Sequence, residues 1–186
     1  MEDHQLSEPE LLERASRIRL LLMDVDGVLT DGKIEFAPNH TGQMAETKAF
    51  DAQDGIALRW LTWYDIKTGV ISGRDSQATV ERARQVGMTY VFQGHIEKIP
   101  ILEQILKESG LAGNEVAYIG DDLTDVVIMR RVGLTAAPSN ARPEVKRIAH
   151  MVTRSPGGSG AVRELIELIL RGRGVWDEIL KKYEVL

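Results

Sequence analysis

Six short apolar runs alternate with amphipathic stretches along this chain, and that alternation restricts the fold more than any other feature. The runs cover residues 18–24, 67–72, 89–92, 116–120, 134–137 and 150–153. Helical periodicity falls at 53–64, 76–85, 98–109, 123–131, 143–148 and 161–170. Strands separated by helices of this length build right-handed βαβ units, with a parallel sheet covered on both faces. The expectation is therefore an α/β protein, a Rossmann-like three-layer α/β/α sandwich.

One insertion interrupts the pattern. Residues 33–36 and 44–50 can pair as a β-hairpin across the turn at 38–42, directly after the first strand. Residues 171–174 (Arg-Gly-Arg-Gly) read as a linker. In the tail at 175–186, Trp176, Ile179 and Leu180 would form one apolar stripe on a short helix, packing on its own core or on a partner. A chain of 186 residues is expected to be one domain, 1–186, with the hairpin at 33–50 as its insertion and 171–186 as its tail.

In open α/β sheets ligands bind at the carboxyl ends of the strands. Four segments deliver polar groups there. Asp24, in Asp24-Val25-Asp26-Gly27, ends the first run; Ser72-Gly73-Arg74 ends the second. Gln93-Gly94 ends the third, with Lys98 just beyond, and Asp121 and Asp122 end the fourth. An acidic cluster of Asp24, Asp121 and Asp122 needs a counter-charge, and carboxylate oxygens suit a hard cation, Mg2+ before others. With the Ser72 hydroxyl and the Lys98 ammonium this makes a cradle for a phosphoryl group. One carboxylate can attack phosphorus, and a second, two residues on, can protonate the leaving oxygen.

Composition narrows the classes. A net charge of -5 argues against nucleic acid as the main ligand. With no cysteine in the chain, disulfides, thiol catalysis and zinc–thiolate sites are excluded. Residues 1–10 are polar and acidic, without a signal-peptide core, and no apolar run reaches the ~18 residues of a membrane span. The expected setting is the cytoplasm, with neither membrane nor nucleic acid as partner.

The ordered set resembles the motifs of the haloacid dehalogenase superfamily: Asp24-Val25-Asp26-Gly27-Val28-Leu29-Thr30, then Ser72 after an apolar strand, then Lys98, then Gly120-Asp121-Asp122-Leu123-Thr124-Asp125. The resemblance implies Asp24 as nucleophile and Asp26 as acid/base. It implies Mg2+ held by Asp24, the Asp26 carbonyl and Asp121, with Asp122 and Asp125 in support as water-mediated ligands or partners of Lys98. Ser72 and Lys98 would hold phosphoryl oxygens. Only 48 positions separate Asp24 from Ser72, and 26 separate Ser72 from Lys98. Core elements and the hairpin nearly fill those gaps, so no cap domain is expected.

Over nearly its full length the chain is similar to the capless 3-deoxy-D-manno-octulosonate 8-phosphate (KDO 8-phosphate) phosphatases, through Lys48-Ala49-Phe50, Asp54-Gly55-Ile56, Ser72-Gly73-Arg74, Gln93-Gly94, the stretch 116–122 and the stretch 157–164. That similarity implies a phosphorylated sugar acid as substrate, a role in lipopolysaccharide precursor synthesis, and a homotetramer in which a neighbouring subunit completes each site. Gln53 stands where the family often has arginine, whereas Arg74 stands where keto-deoxynononate 9-phosphate phosphatases usually have glutamate, so Gly73 and Arg74 join the substrate-binding candidates. A phosphatase for that second sugar acid, or for another sugar phosphate, is the nearest rival. A phospho-accepting signalling module is the rival of a different class.

Several residues keep two readings. Asp121 or Asp122 can cap the helix near Leu123 while the other binds metal. Asp31 and Glu46 read as hairpin polar residues, and His95 as polar surface. Arg74 reads equally as substrate contact or surface ion pair. The glycines at 157–160 read equally as a phosphate nest or a turn, and Arg163 is open in the same way.

Overall fold

The structure, a computed structural model, describes residues 5–186. The first four residues of the polar 1–10 segment lie outside that range. A helix absent from the sequence reading comes first: α1 (Glu8–Ser16). Ser7 caps it, its backbone N–H and hydroxyl reaching Glu10 at 2.9 and 2.6 Å, a capping box in Ser7-Glu8-Pro9-Glu10. Periodicity missed this helix because Ala15 is its one fully buried residue.

Strand β1 (Leu20–Met23) follows, then the hairpin strands β2 (Glu35–Pro38) and β3 (Met44–Thr47), and α2 (Ala52–Thr62). Next come β4 (Lys67–Ile71), α3 (Gln77–Val86), β5 (Tyr90–Phe92), α4 (Ile99–Ser109) and β6 (Val116–Ile119). The chain closes with α5 (Val126–Met129), β7 (Leu134–Ala137), α6 (Pro143–Lys146), β8 (Met151–Val152), α7 (Ala161–Gly172) and α8 (Trp176–Lys182). The main sheet has six strands in the order β5-β4-β1-β6-β7-β8, and every pairing in it is parallel.

Alternation along β1 divides the core. Leu21 and Met23 pack with Leu58, Leu61, Leu165 and Ile169 of α2 and α7. Leu20 and Leu22 pack on the other face with Leu102, Ile105 and Ile128 of α4 and α5. This is the expected three-layer sandwich. Among the described residues, only the hairpin lies between β1 and α2 and only α3 between β4 and β5, so neither gap holds a cap.

Three boundaries differ from expectation, each for a local reason. The hairpin pairs Glu35 with Thr47 and Pro38 with Met44, later in its first strand and shorter in its second than expected. Its turn is set by Asn39, whose Oδ1 accepts from the N–H groups of Thr41 and Gln43 at 2.9 and 3.0 Å. The helix expected over 123–131 becomes a 3-10 turn, Leu123–Asp125, followed by the short α5, because the Asp125 carboxylate bends back onto the preceding backbone. The linker expected at 171–174 is half helix. Helix α7 continues through Gly172, where an added Cβ would come within 2.6 Å of the Ala15 Cβ, so glycine permits the close crossing with α1. The tail packs on its own core through Ile179, and Trp176 rests beside Trp60.

Candidate active site

The register of β1 brings the site together. Met23 pairs with Val70 of β4 on one side and with Ile119 of β6 on the other. Asp24, Ser72 and Asp121 therefore leave three adjacent strands at nearly the same height. They open on a cleft of about 360 Å³, also lined by Asp26, Gly73, Arg74, Lys98, Asp122 and Thr124. Every site residue expected from sequence lines this cleft except Asp125, which lies beneath it.

The turn after β1 is wound on one carbonyl. The N–H groups of Val28, Leu29 and Thr30 all point to Val25 O, at 2.9–3.3 Å. Gly27 has φ +89°, and a Cβ there would stand 2.2 Å from Asp121 Oδ2, so glycine alone lets this turn pass the acidic residue.

Lys98, with 2 % of its side chain exposed, is the buried cation of the site. Its Nζ donates to Asp24 Oδ1 and Asp125 Oδ1, each at 2.7 Å, and lies 3.2 Å from the Tyr118 hydroxyl. Burial works against its charge, but Asp125 and Asp24 outweigh that and hold Lys98 above its ordinary value. Asp125 Oδ1 also accepts from Tyr118 Oη at 2.6 Å, and Oδ2 accepts from the N–H groups of Asp121 and Asp122 at 2.9 and 3.1 Å. Both oxygens are thus fully engaged, so Asp125 acts as the anchor of Lys98 and of this loop. Asp122 caps the following turn at Leu123 N, 2.8 Å away, and is itself exposed.

Asp24 and Asp121 are the carboxylates left to balance one another. Burial, then the charge of Asp125, pushes Asp24 up to about 6 despite Lys98. Burial, then Asp125 and Asp24, pushes Asp121 up to about 7. Asp121 Oδ1 is buried without a hydrogen-bond partner. Oxygen atoms of Asp24, Asp121 and Asp125 lie within 4.8 Å of one another. A crowded oxygen set with an orphaned buried acceptor fits a hard divalent cation.

The Ser72 hydroxyl, 3 % exposed as a residue, accepts from Arg74 N–H at 3.2 Å, which leaves its own hydrogen to donate into the cleft. Asp26 lines the same cleft but is not part of the Asp24–Asp121–Asp125 oxygen cluster. It forms an ion pair with Lys48, whose side chain is 2 % exposed, and Arg74 Nε lies 3.9 Å from its other oxygen. Lys48 is a residue the motif reading missed; its signal was only its place in Lys48-Ala49-Phe50. Glu46 is a polar residue of the hairpin, as expected, and its carboxylate pairs with both Lys48 and Arg74; Asp31 is exposed and tied to Lys33.

The glycines at 157–160 are a strap, not a phosphate nest. Gly158 N donates to Val28 O at 3.0 Å, and Gly157 N donates to Asn140 Oδ1 at 2.6 Å. Asn140, also unmarked by sequence, donates in turn to Gly27 O at 3.0 Å. A Cβ on Gly157 would stand 1.9 Å from Gly27 O, so the strap lies directly on the Asp24 turn. Arg163 is structural: it stacks 4.1 Å from the Trp60 ring centroid and donates to Glu167 at 2.6 Å. His95 is exposed and makes an edge contact with Phe92.

A family model for haloacid dehalogenase-like hydrolases matches residues 65–165. The chain is 40% identical over 169 residues to the 3-deoxy-D-manno-octulosonate 8-phosphate phosphatase KdsC of Escherichia coli (strain K12), covering 91% of this chain and 88% of that protein. It is 42% identical over 161 residues to the protein of the same name from Yersinia pestis, covering 87% and 84%. The crystal structure of the 3-deoxy-D-manno-octulosonate 8-phosphate phosphatase of Moraxella catarrhalis, in complex with magnesium ion, phosphate ion and KDO, superposes with a TM-score of 0.88. It shares 36% identity and covers 94% of this chain and 98% of that one.

Proposed function

The chain belongs to the haloacid dehalogenase-like hydrolases, among the KDO 8-phosphate phosphatases, and from that membership we propose that it is a Mg2+-dependent phosphomonoesterase releasing phosphate from KDO 8-phosphate. The observation that carries the proposal is the meeting of Asp24, Ser72, Lys98 and Asp121 in one cleft, in a fold whose Moraxella relative was solved with magnesium, phosphate and KDO.

In this reading Mg2+ is held by the carboxylates of Asp24 and Asp121 with the Asp26 carbonyl, and it supplies charge neutralisation for the phosphoryl oxygens. Asp24 attacks phosphorus and forms an aspartyl-phosphate while the sugar oxygen leaves. Asp26 protonates that oxygen, then takes a proton from the water that hydrolyses the intermediate. Lys98, fixed on one Asp24 oxygen, lowers the repulsion between nucleophile and phosphate. The Ser72 hydroxyl donates to a phosphoryl oxygen, Gly73 lets the substrate approach, and Arg74 at the mouth meets the carboxylate end of the sugar acid.

We further propose one domain over 1–186, working as a cytoplasmic homotetramer in lipopolysaccharide precursor synthesis. No helix among the described residues is long and apolar enough to cross a membrane. Phe36, Met44 and Ile34 stand exposed on the hairpin, which supports an assembly through it. Phosphate release measured across a panel of sugar phosphates tests the substrate assignment. The expected result is Mg2+-dependent turnover with KDO 8-phosphate at the highest kcat/KM. Higher kcat/KM on a nine-carbon keto acid phosphate or a neutral sugar phosphate would overturn it.

A further inference from the structure

Glu46 lies outside the cleft yet holds two cations that serve it. Its carboxylate pairs with Arg74 Nη2 and stands 3.0 Å from Lys48 Nζ, and Lys48 pairs with Asp26. The hairpin around it is exposed: Ala45 and Thr47 face solvent. Glu46 and Lys48 share the other face of the strand line, two residues apart, and turn inward. Their side chains are 13% and 2% exposed, although the hairpin has no core of its own for them to complete.

The asymmetry with Arg74 is informative. The arginine side chain is 45% exposed, while the glutamate that grips it is largely covered. Glu46 is therefore the fixed member and Arg74 the arm. The Arg74 hydrogen bond, with help from Lys48 and against partial burial, keeps Glu46 below the usual carboxylate range, so it remains an anion throughout neutral pH. A guanidinium held at one nitrogen keeps further donors for a second carboxylate, in a direction its partner has set. Arginine free to sample its rotamers would have to be ordered by each incoming substrate.

We propose that Glu46 is a positioning residue that fixes the Arg74 guanidinium at the cleft mouth and so confers preference for phosphate esters bearing a carboxylate. This rests on the reading of Arg74 as the contact for the carboxylate end of the substrate. The array Glu46–Arg74–substrate carboxylate makes the hairpin a specificity element as well as an outer wall.

The test is steady-state kinetics of Glu46→Ala, Glu46→Gln, Arg74→Ala and the Glu46→Ala/Arg74→Ala double variant. Each is assayed on KDO 8-phosphate and on a neutral sugar phosphate. Glu46→Ala should raise KM for KDO 8-phosphate about tenfold while KM for the neutral ester stays unchanged, and any fall in kcat through Lys48 and Asp26 should be the same on both esters. Glu46→Gln, which keeps an acceptor for Arg74, should recover most of that loss. The double variant should be no worse than Arg74→Ala alone. An equal KM rise on both esters, a fall in kcat alone, or additive losses in the double variant would overturn the proposal. If Arg74→Ala raises KM and Glu46→Ala does not, the Glu46 role fails while the Arg74 contact stands. If Arg74→Ala itself leaves KM unchanged, the Arg74 contact fails and the Glu46 role with it.

Discussion

Lys98 Nζ stands 2.7 Å from Asp125 Oδ1, and both side chains are all but completely buried. The same ammonium reaches Asp24 at 2.7 Å, so an anchor pair is built into the floor of the cleft. Asp125 spends its four acceptor positions on Lys98, Tyr118 and two backbone N–H groups. Asp24 is thereby placed, through Lys98, by a residue that does not itself line the cleft.

Removing Asp125 should therefore cost stability and not only rate. Asp125→Ala leaves a buried lysine short of a counter-charge and two loop N–H groups unpaired, and breaking a buried pair from one side costs about 3–5 kcal/mol. Urea unfolding of Asp125→Ala should register a loss of that size. Adding Lys98→Met should return part of it, because the orphaned charge goes too. Strictly additive losses in the double variant would remove the coupling.

The two aspartates of the opening turn should separate by leaving group. Asp24→Asn should abolish phosphate release with the fold intact by circular dichroism; retained turnover would remove Asp24 as nucleophile. Asp26→Asn should lower kcat/KM, which reports only the steps up to loss of the leaving group, about 10²–10⁴-fold on alkyl phosphates, the usual scale of general acid–base catalysis. Its effect should be far smaller on aryl phosphates, whose leaving group needs no proton for departure. Lys48→Met should show the same split in weaker form, since Lys48 orients Asp26. Equal losses on both ester classes would sink the acid role.

Gly27 should tolerate no side chain. Alanine there meets a left-handed φ of +89° and would place its Cβ 2.2 Å from Asp121 Oδ2. Either the turn or Asp121 must move. A shift of about 1 Å at such a site can cost on the order of 10²-fold in rate. Gly27→Ala should lose Mg2+ affinity by calorimetry as well as turnover; wild-type Mg2+ binding would show that Asp121 does not depend on this turn.

Much of this site was legible because it is written at strand ends. Asp24, Ser72 and Asp121 each follow an apolar run, and a parallel sheet carries such positions to one edge whatever the loops do. Lys48, Glu46 and Asn140 were not legible as site residues. Their partners lie 22, 28 and 113 positions away in sequence, and those pairings exist only after the hairpin and the strap fold back. Helix α1 escaped for a different reason. It meets α7 through Ala15 and the glycine at 172, so small residues rather than an apolar stripe mark its contact.

Stability of the metal-free protein should fall as pH rises toward neutrality. Asp24 and Asp121 sit above the ordinary aspartate value of 3.8, at about 6 and about 7, chiefly through burial and then through neighbouring carboxylates. Between the ordinary value and these raised ones, the folded chain holds protons that the unfolded chain has released. Stability then declines with pH across that window and levels off above about 7. Bound Mg2+ supplies the missing positive charge at the higher pH, so it should flatten the slope and stabilise most where both carboxylates are ionised. Thermal melts between pH 5 and 8, in chelator and in saturating Mg2+, read this directly. The gap between the two melting curves should widen with pH. Asp121→Asn should raise the melting temperature in chelator at pH 8 and erase most of the Mg2+ effect. A gap that stays constant with pH would mean that Asp24 and Asp121 do not carry the cation.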